Sequence, residues 1–258
     1  MRIARLSYTP IKGAALSHPG ELWIGPQGAE GDREFFLATA EDKLLTIERT
    51  GAFVGVRAEF AADPARLALF QGERPLHSGP VEAGERVEVN FYGQRDVAGH
   101  VVPGPWSDLF SELAGQPLRL VRAERRGTGV DVAPVTLLGR ASVDRLELEL
   151  GEPVDSRRFR MLIELETAEP NVEDSWAGFM LTGDEIRLRV GGPVPRCAAV
   201  TRHPDAGDRD LPVVRAIKGY RGLQELADGK GVPFGVYADV VSPGTVRVGE
   251  SLTIADGP

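Results

Sequence analysis

Residues Gly191 to Asp210 read G-G-P-V-P-R-C-A-A-V-T-R-H-P-D-A-G-D-R-D and contain the single cysteine of the chain, Cys197. Pro193 and Pro195 fix φ and remove backbone donors, so Cys197 is expected just past a stiffened, non-helical entry. Arg196 places a permanent cation beside the thiol, which is expected to lower the thiol pKa and favour the thiolate. A thiolate on such a loop is a nucleophile or a soft metal ligand, whereas a lone cysteine in a core is a small apolar side chain. This stretch alone leaves both interpretations open.

The composition predicts a globular protein with a sizeable core. The chain has 258 residues, enough for one large domain or two intertwined ones, and 42% of them are hydrophobic and 26% charged. No apolar run approaches the ~18 residues that span a bilayer, and the first residues contain no apolar segment of the signal-peptide kind. One cysteine excludes an intramolecular disulfide and fits a reducing compartment. We therefore expect a cytoplasmic protein without membrane association.

The net charge of −8 argues against a nucleic-acid-binding protein, which normally carries a basic excess. Arginine supplies 26 of the 30 lysine and arginine residues. The nucleotide composition of the gene can by itself produce such a bias toward arginine. Neighbouring arginines are therefore interpreted as solvent-exposed surface residues.

Short apolar runs alternate with turn signals, and glycine and proline are dispersed along the whole chain, which predicts a mainly β fold with several helices. Three stretches have helical spacing: one through Trp106 and Leu113 with Ser107 as N-cap, one over Ser142–Leu150, and one over Leu211–Leu226. The turn-rich V-P-G-P at residues 102–105 predicts a boundary between an N-terminal domain, residues 1–102, and a second domain, residues 103–258. The predicted strands are Arg2–Tyr8, Glu34–Ala38, Lys43–Ile47, Arg66–Phe70, Arg86–Tyr92, Leu118–Arg122, Phe159–Leu165, Glu185–Val190, Val232–Val241 and Gly244–Ile254.

Several kinds of site are disfavoured by spacing. A structural zinc site needs about four Cys or His ligands at short spacing, and the four histidines here are scattered. A [2Fe–2S] cluster needs four such ligands as well, and the glycine-rich nucleotide fingerprints are absent. A nucleophilic pair of Cys197 with His203 stays open, although no third group is evident to orient the histidine.

Four separated cations could converge on one anionic ligand. Lys12 follows Y-T-P-I at the end of the first predicted strand, and Arg33 ends the run G-A-E-G-D-R before the second. Arg160 ends R-R-F-R, and Arg196 precedes the cysteine. Each by itself is more simply surface charge or an ion pair, and the sequence does not show that they meet.

The ordered set of motifs resembles the MOSC family, the molybdenum-cofactor sulfurase C-terminal domain, preceded by that family's N-terminal domain. The set is Y-T-P-I-K, G-D-R, R-F-R, E-D-S-W, P-R-C with T-R-H-P-D-A-G, F-G-V-Y-A and P-G-T-V-R-V-G-E, from about Ile3 to Leu252. Within the family, the chain is similar to the mitochondrial amidoxime-reducing component and its bacterial relatives. The resemblance implies a MOSC-type β-barrel with an N-terminal β-barrel-like domain, and a bound molybdenum cofactor (molybdopterin).

The resemblance also implies site roles. Cys197 matches the thiolate ligand of molybdenum and is the expected catalytic and metal-binding residue, with Arg196 as the arginine before it. Asp174, in E-D-S-W, matches an acidic residue expected near the pterin and is assigned with Cys197 to catalysis. The remaining cofactor-binding matches are Lys12, Arg33, Ser142 and Arg160.

The chain departs from the family pattern at four places. Gly13 replaces Ser or Thr, Gly139 replaces Ser, Met161-Leu162 replaces a polar segment, and Val194 replaces Cys. Each change removes a polar contact worth about 0.5–1.5 kcal/mol, which weakens the expectation of catalytic competence more than that of affinity.

Three functions follow as hypotheses. The first is a reductase of N-hydroxylated or N-oxygenated small molecules that takes electrons from an external ferredoxin- or flavoprotein-type donor. The second is a non-catalytic carrier of the molybdenum cofactor, or of sulfur as a persulfide on Cys197. The third is a structural β protein with a relict site.

Overall fold

Strands dominate the computed structural model, which describes residues 1–226 and 229–255, and three α-helices join them there, so the prediction of a mainly β fold with several helices is confirmed. No helix within those residues is long and apolar enough to cross a bilayer. The strands are β1 Ile3–Leu6, β2 Glu21–Gly25, β3 Gly28–Ala29, β4 Phe35–Thr39, β5 Val56–Ala62, β6 Ala65–Gln71, β7 Arg74–Pro80, β8 Arg86–Phe91, β9 Arg95–Val101, β10 Leu118–Ala123, β11 Val135–Gly139, β12 Ile163–Leu165, β13 Met180–Thr182, β14 Arg187–Pro195, β15 Gln224–Leu226, β16 Gly229–Gly231, β17 Pro233–Ser242, β18 Gly244–Arg247 and β19 Thr253–Ala255. The helices are α1 Trp106–Ala114, α2 Arg140–Leu150 and α3 Val213–Arg221, with 3₁₀ turns at Ser156–Phe159, Val172–Trp176 and Ala198–Thr201.

The largest sheet has seven strands in the order β1-β12-β11-β17-β14-β13-β19. A four-stranded sheet, β4-β10-β9-β8, and a three-stranded sheet, β5-β6-β7, lie mostly in the N-terminal half. Strand pairing crosses residue 102 in both directions, because β1 pairs with β12 and β10 pairs with β4 and β9. The division into domains at residue 102 stays a prediction.

Each large sheet buries its own apolar core. One cluster lies along the seven-stranded sheet and includes Ile3, Leu137 and Trp176. A second packs helices α2 and α3 against the same sheet near Val194 and Phe234. Two further clusters fill the N-terminal half. Rigid sheets therefore support the loops on both sides of Cys197.

Several local predictions are wrong, for identifiable reasons. Residues 43–47 make only isolated bridges, and residues 159–162 form the end of a 3₁₀ turn and a bend instead of a strand. Helix α3 ends at Arg221 because Gly222 takes a positive φ of 73°, so the prediction to residue 226 is too long. Ser107 lies inside α1, where its Oγ accepts a hydrogen bond from Leu120 N at 3.2 Å, and Pro105 is the N-cap.

Candidate functional site

A cleft lies between loops of the N-terminal half and the cysteine-containing loop. Its empty volume is about 1080 Å³, including the part open to solvent. Among the described residues, five cationic and two acidic side chains line it, a net positive lining in a chain of net charge −8. These charged residues are Lys12, Arg33, Arg158, Arg160 and Arg196, with Glu48 and Asp131; Cys197, Tyr92 and Tyr237 also line the cleft. The structure therefore brings five of the seven predicted site residues to one place: Lys12, Arg33, Arg160, Arg196 and Cys197.

Arg160 is a largely buried cation that forms no ion pair within residues 1–226 and 229–255. Its backbone takes a left-handed φ of 53° after the 3₁₀ turn Ser156–Phe159, and this turns the side chain into the cleft. The only side-chain hydrogen bond it makes to described residues runs from Nη2 to Ala14 O at 2.7 Å. Burial, and then the nearby charge of Arg33, lower the pKa of Arg160 to about 9. The guanidinium is still charged at neutral pH, and the charges of Asp32 and Asp131 offset its burial only in part, since neither forms an ion pair with it.

Arg196 lies beneath the cleft and binds backbone. Its Nε and Nη2 donate to Phe234 O at 2.8 and 2.6 Å, and Nη1 donates to Phe159 O at 3.0 Å. No carboxylate pairs with it among the described residues, and burial lowers its pKa to about 10. Arg196 therefore ties strand β17 to the turn that carries Arg160, and its charge adds to the positive potential of the cleft.

Lys12 is held by a loop on the opposite wall. Its Nζ donates to Gly129 O at 3.0 Å and to Asp131 Oδ1 at 2.6 Å. Burial lowers the pKa of Lys12, and the charge of Asp131 opposes that shift. Burial works against ionisation of Asp131, but Lys12 and a 2.7 Å hydrogen bond from the Tyr92 hydroxyl outweigh it and lower the pKa of Asp131 to about 2. The Asp131 side chain is 52% exposed, so it can be displaced from Lys12 more easily than a buried partner could.

Arg33 connects the turn that carries Arg160 with the loop that leads to Lys12. Its Nη1 pairs with Asp32, and its Nη2 donates to the backbone oxygen of Arg160 at 3.2 Å. Asp32 also accepts from Thr9 N at 3.0 Å, which fixes the loop that leads to Lys12. The backbone of Arg33 has a positive φ of 50°. This strained position directs the guanidinium toward the cleft.

Cys197 follows strand β14 and precedes the 3₁₀ turn Ala198–Thr201, and its side chain is exposed at the cleft. The predicted net lowering of its pKa is wrong, although Arg196 acts in the predicted direction. The walls of the cleft and the adjacent carboxylate of Glu48 raise the pKa of the thiol to about 11, although a backbone hydrogen bond from Ala199 and the charge of Arg196 oppose them. The guanidinium of Arg196 is turned toward carbonyl oxygens, which leaves Glu48 to set the local charge.

Glu48 comes from a loop that is distant in sequence. Its Oε1 accepts from Ala198 N at 3.0 Å, so it lies directly at the start of the cysteine loop. Arg202 and Arg209 donate to the backbone oxygen of Glu48 at 3.0 and 3.1 Å. The two loops also approach so closely at Gly51 and Gly207 that a Cβ at either would collide with the other's carbonyl oxygen.

The raised pKa gives a first prediction for the free protein. At pH 8 the thiolate fraction of Cys197 should be about a hundredfold below that of a thiol of pKa 9. The greater nucleophilicity of a more basic thiolate recovers part of this, so alkylation by iodoacetamide should be about tenfold slower than for an exposed reference cysteine. The rate should rise with pH to a midpoint near 11; a midpoint at or below 9 would contradict the arrangement of Glu48.

The structure does not bring Ser142 and Asp174 to the cleft, in contrast to their predicted roles. Ser142 is fully buried at the start of α2, where its Oγ donates to the Glu173 carboxylate at 2.8 and 3.0 Å and accepts from Asn171 N at 2.8 Å. Asp174 pairs with Arg221 of α3. Both residues therefore fasten the 3₁₀ turn Val172–Trp176 to helices α2 and α3.

This arrangement predicts a structural effect of Ser142. Ser142→Ala removes hydrogen bonds from the buried Glu173 carboxylate, so the free energy of unfolding in urea should fall by about 1–3 kcal/mol. Ser78→Ala, at an exposed position on β7, should change it by less than about 0.5 kcal/mol. The rate of Cys197 alkylation should be the same in both folded variants; a changed rate in the Ser142 variant alone would contradict a purely structural role.

The departures from the family pattern have partial explanations. A Cβ at Gly139 would lie 2.7 Å from Thr167 Oγ1 and 2.8 Å from Glu173 Oε2, so serine would require these two side chains to shift. Met161 Sδ accepts from Arg196 Nη2 at 2.8 Å, so a thioether packs on the guanidinium here. Val194 is part of the apolar cluster under the sheet.

Sequence reasoning missed Glu48, Asp131 and Tyr92. Glu48 and Asp131 lie on irregular loops, and Tyr92 follows the end of β8 with a φ of 61°. A positive φ at a bulky residue is a signal visible only in a structure. The possible partner His203 does not line the cleft; its Nδ1 accepts from Asp205 N and Ala206 N at 3.2 Å. Residues 1–226 and 229–255 contain no group of three or more His, Cys, Asp or Glu placed to hold a metal.

Comparison with known proteins identifies the family. Over 257 residues the chain is 28% identical to the molybdenum cofactor sulfurase of Drosophila grimshawi, covering 92% of this chain and 32% of that protein. Over 127 residues it is 34% identical to the mitochondrial amidoxime-reducing component 1 of Mus musculus, covering 47% of this chain and 36% of that protein. The chain thus spans about a third of the length of these curated relatives. The solved structure of the YuaD protein of Bacillus subtilis aligns with 97% of this chain and 93% of its own at 12% identity and a TM-score of 0.47.

A family model described as the MOSC domain matches residues 124–253. This range contains Cys197, Arg160 and Arg196, while Lys12, Arg33 and Glu48 precede it. Because the match covers half of the chain, this protein belongs to the MOSC domain family.

Proposed function

We propose that this protein binds a molybdenum cofactor and reduces N-hydroxylated or N-oxygenated small molecules with electrons from a separate ferredoxin- or flavoprotein-type donor. The observation that carries the proposal is the meeting, in one cleft, of an exposed thiol and two partly buried cations, Arg160 and Arg196, that form no ion pair with the described residues. Burying a cation without an anion is costly, so such a site is suited to a ligand that supplies the anion. Membership of the MOSC family and similarity to an amidoxime-reducing component point to the molybdenum cofactor as that ligand.

The residues of the cleft fit this cofactor. Its phosphate is an anion, and charge-assisted hydrogen bonds from Arg160, Arg33 and Lys12 would hold it, each worth about 1.5–3 kcal/mol. Arg160 has N–H groups that bind no described residue, and Lys12 would exchange the half-exposed Asp131 for the ligand. Its metal is soft and accepts one thiolate, which Cys197 can supply.

Each residue then has a defined task. When bound, the cofactor would supply two-electron redox chemistry at the metal. Cys197 must lose its proton to become a ligand, and its pKa of about 11 means that the protein's own side chains do not drive this loss. Arg196 keeps the cysteine loop fixed against β17 and the Arg160 turn, so that the thiol and the phosphate-binding cations hold a constant separation.

The alternative is a carrier of the cofactor or of persulfide sulfur without turnover. The alignment with a molybdenum cofactor sulfurase covers 92% of this chain and supports this alternative, as does the exposure of the Cys197 side chain. The raised thiol pKa disfavours the persulfide form, because sulfur transfer requires a nucleophilic thiolate. The second candidate function is therefore a carrier of the cofactor, which these observations favour over a carrier of sulfur.

Metal analysis tests the proposal. The protein purified from a host that makes the cofactor should contain close to one molybdenum per chain by mass spectrometry, and Cys197→Ala should lose most of it. Sub-stoichiometric molybdenum, unchanged in Cys197→Ala, would remove the basis for the proposal. With loaded protein, reduction of benzamidoxime by a chemical electron donor separates the two candidates, because a carrier should give no turnover.

A further inference from the structure

The two acids that line the cleft are in different electrostatic situations. Asp131 is neutralised by Lys12 at 2.6 Å. Glu48 forms no ion pair within the described ranges 1–226 and 229–255, and the only partners of its carboxylate there are the backbone N–H of Ala198 and the neighbouring thiol. A single uncompensated carboxylate therefore lies beside Cys197.

The cleft carries charges of both signs. Lys12, Arg33 and Arg160 are cationic, whereas Glu48 places a carboxylate at the start of the loop that carries Cys197. The guanidinium of Arg196 also lines the cleft, but it is turned toward the carbonyl oxygens of Phe234 and Phe159. Arg202 and Arg209 hold the backbone of Glu48 in place, so a molecule that approaches the thiol meets the charge of this carboxylate.

Carboxylates bind planar nitrogen cations strongly, because a guanidinium or amidinium group can donate two parallel hydrogen bonds. Ile47, Ala199 and Val200 line the cleft next to Glu48 and offer apolar contact, while the nearby Arg202 and Arg209 are engaged with backbone oxygens. These features suit a small molecule with a nitrogen cation on an apolar body.

We propose that Glu48 is the specificity-determining residue of this site and makes the Cys197 end of the cleft select positively charged molecules over neutral or anionic ones of the same shape. As a statement about substrates, this rests on the proposed reductase function. As a statement about local charge at the thiol, it holds for the cofactor-free protein and can be tested there.

The test uses charged thiol reagents on the single cysteine. The thiolate of Cys197 attacks the sulfenyl sulfur of a methanethiosulfonate, forming a mixed disulfide and releasing methanesulfinate. Rates are measured for the cationic 2-(trimethylammonium)ethyl reagent and the anionic 2-sulfonatoethyl reagent at low salt. Their ratio cancels the thiolate fraction, so it reports charge and not the thiol pKa. In Glu48→Gln the cation-to-anion ratio should fall by about tenfold.

Glu41→Gln is the matched control, since Glu41 is exposed and lies on the same connection between β4 and β5. Its ratio should equal that of the unmodified protein. An unchanged ratio in Glu48→Gln, or an equal fall in both variants, would overturn the proposal. The neutral methyl methanethiosulfonate shows whether each variant keeps an accessible thiol.

A second arm uses the molybdenum-loaded protein with two isosteric substrates, para-trimethylammonium-benzamidoxime and para-tert-butyl-benzamidoxime. The proposal expects kcat/KM to favour the cation in the unmodified protein, and Glu48→Gln to reduce that preference by about tenfold. An unchanged preference would overturn Glu48 as a specificity determinant even if the reagent ratio responds. Absence of turnover with both substrates would instead overturn the proposed function, and the reagent ratio would still decide the charge at the thiol.

Discussion

Replacing Arg160 by methionine is expected to reduce retention of the molybdenum cofactor by about tenfold to a hundredfold, which is the loss of one charge-assisted hydrogen bond of about 1.5–3 kcal/mol. Arg160 is the cation with the most to gain from an anionic ligand, because it is buried without a carboxylate partner and uses one side-chain hydrogen bond. Retention is measured as molybdenum remaining after gel filtration over a series of protein dilutions.

The stability of cofactor-free Arg160→Met should change little. Loss of the 2.7 Å bond to the buried Ala14 carbonyl destabilises the fold, whereas removal of a partly buried charge without an ion pair stabilises it, so the free energy of unfolding should shift by no more than about 1–2 kcal/mol. Arg187→Met on strand β14, exposed and without an ion pair among the described residues, is the matched control and should retain the metal. Equal retention by both variants would show that Arg160 does not hold the ligand.

Replacing Gly207 by alanine is expected to lower the free energy of unfolding by about 2–4 kcal/mol. Gly207 has a φ of 80°, and an added Cβ would collide with the backbone oxygen of Gly51, which is not a flexible group. The two loops would have to separate, and Glu48 would move away from Cys197. Alkylation of Cys197 at pH 8 should then accelerate, since the thiol pKa would fall back toward its usual range.

Gly222→Ala is the matched control for Gly207→Ala, because it introduces the same backbone strain without a steric collision. Gly222 has a similar φ of 73°, but no atom lies within 4 Å of the position that its Cβ would take. Its substitution should cost only the left-handed strain, about 1–2 kcal/mol, without a change in alkylation rate. Urea unfolding and alkylation of the two variants side by side provide the measurement. Equal destabilisation, with an unchanged alkylation rate in Gly207→Ala, would mean that the contact with Gly51 does not position Glu48.

Clear alternation of apolar and polar residues predicted which side chains face inward, although it did not give the bounds of β14, which runs from Arg187 to Pro195. The alternation in E-I-R-L-R-V over residues 185–190 places Leu188 and Val190 inward on β14, as observed. Strands β2, β5, β7 and β9 were not predicted. Their sequences carry charged, small or proline residues at many positions, and they become strands because neighbours supply hydrogen bonds and a core.

The sequence predicted the cations that line the cleft, because these residues lie in recognisable local motifs. Ser142 and Asp174 also lie in such motifs, but their side chains contact Glu173 and Arg221 and do not line the cleft. A motif fixes which residue follows which, whereas the face on which a side chain lies depends on the surrounding turn. Only the three-dimensional structure distinguishes the motif residues that line the cleft from those that do not.

The sequence by itself determined that the chain is a mainly β member of the MOSC family with one thiol and several cations at motif positions, because alternation, turn residues and short motifs are local properties. The tertiary structure decided the charge around that thiol. Arg196, its neighbour in sequence, is turned toward the carbonyl oxygens of Phe234 and Phe159, while Glu48, 149 positions away, contacts the cysteine loop. Electrostatic interactions depend on distance in space, and loop packing sets that distance independently of separation along the chain.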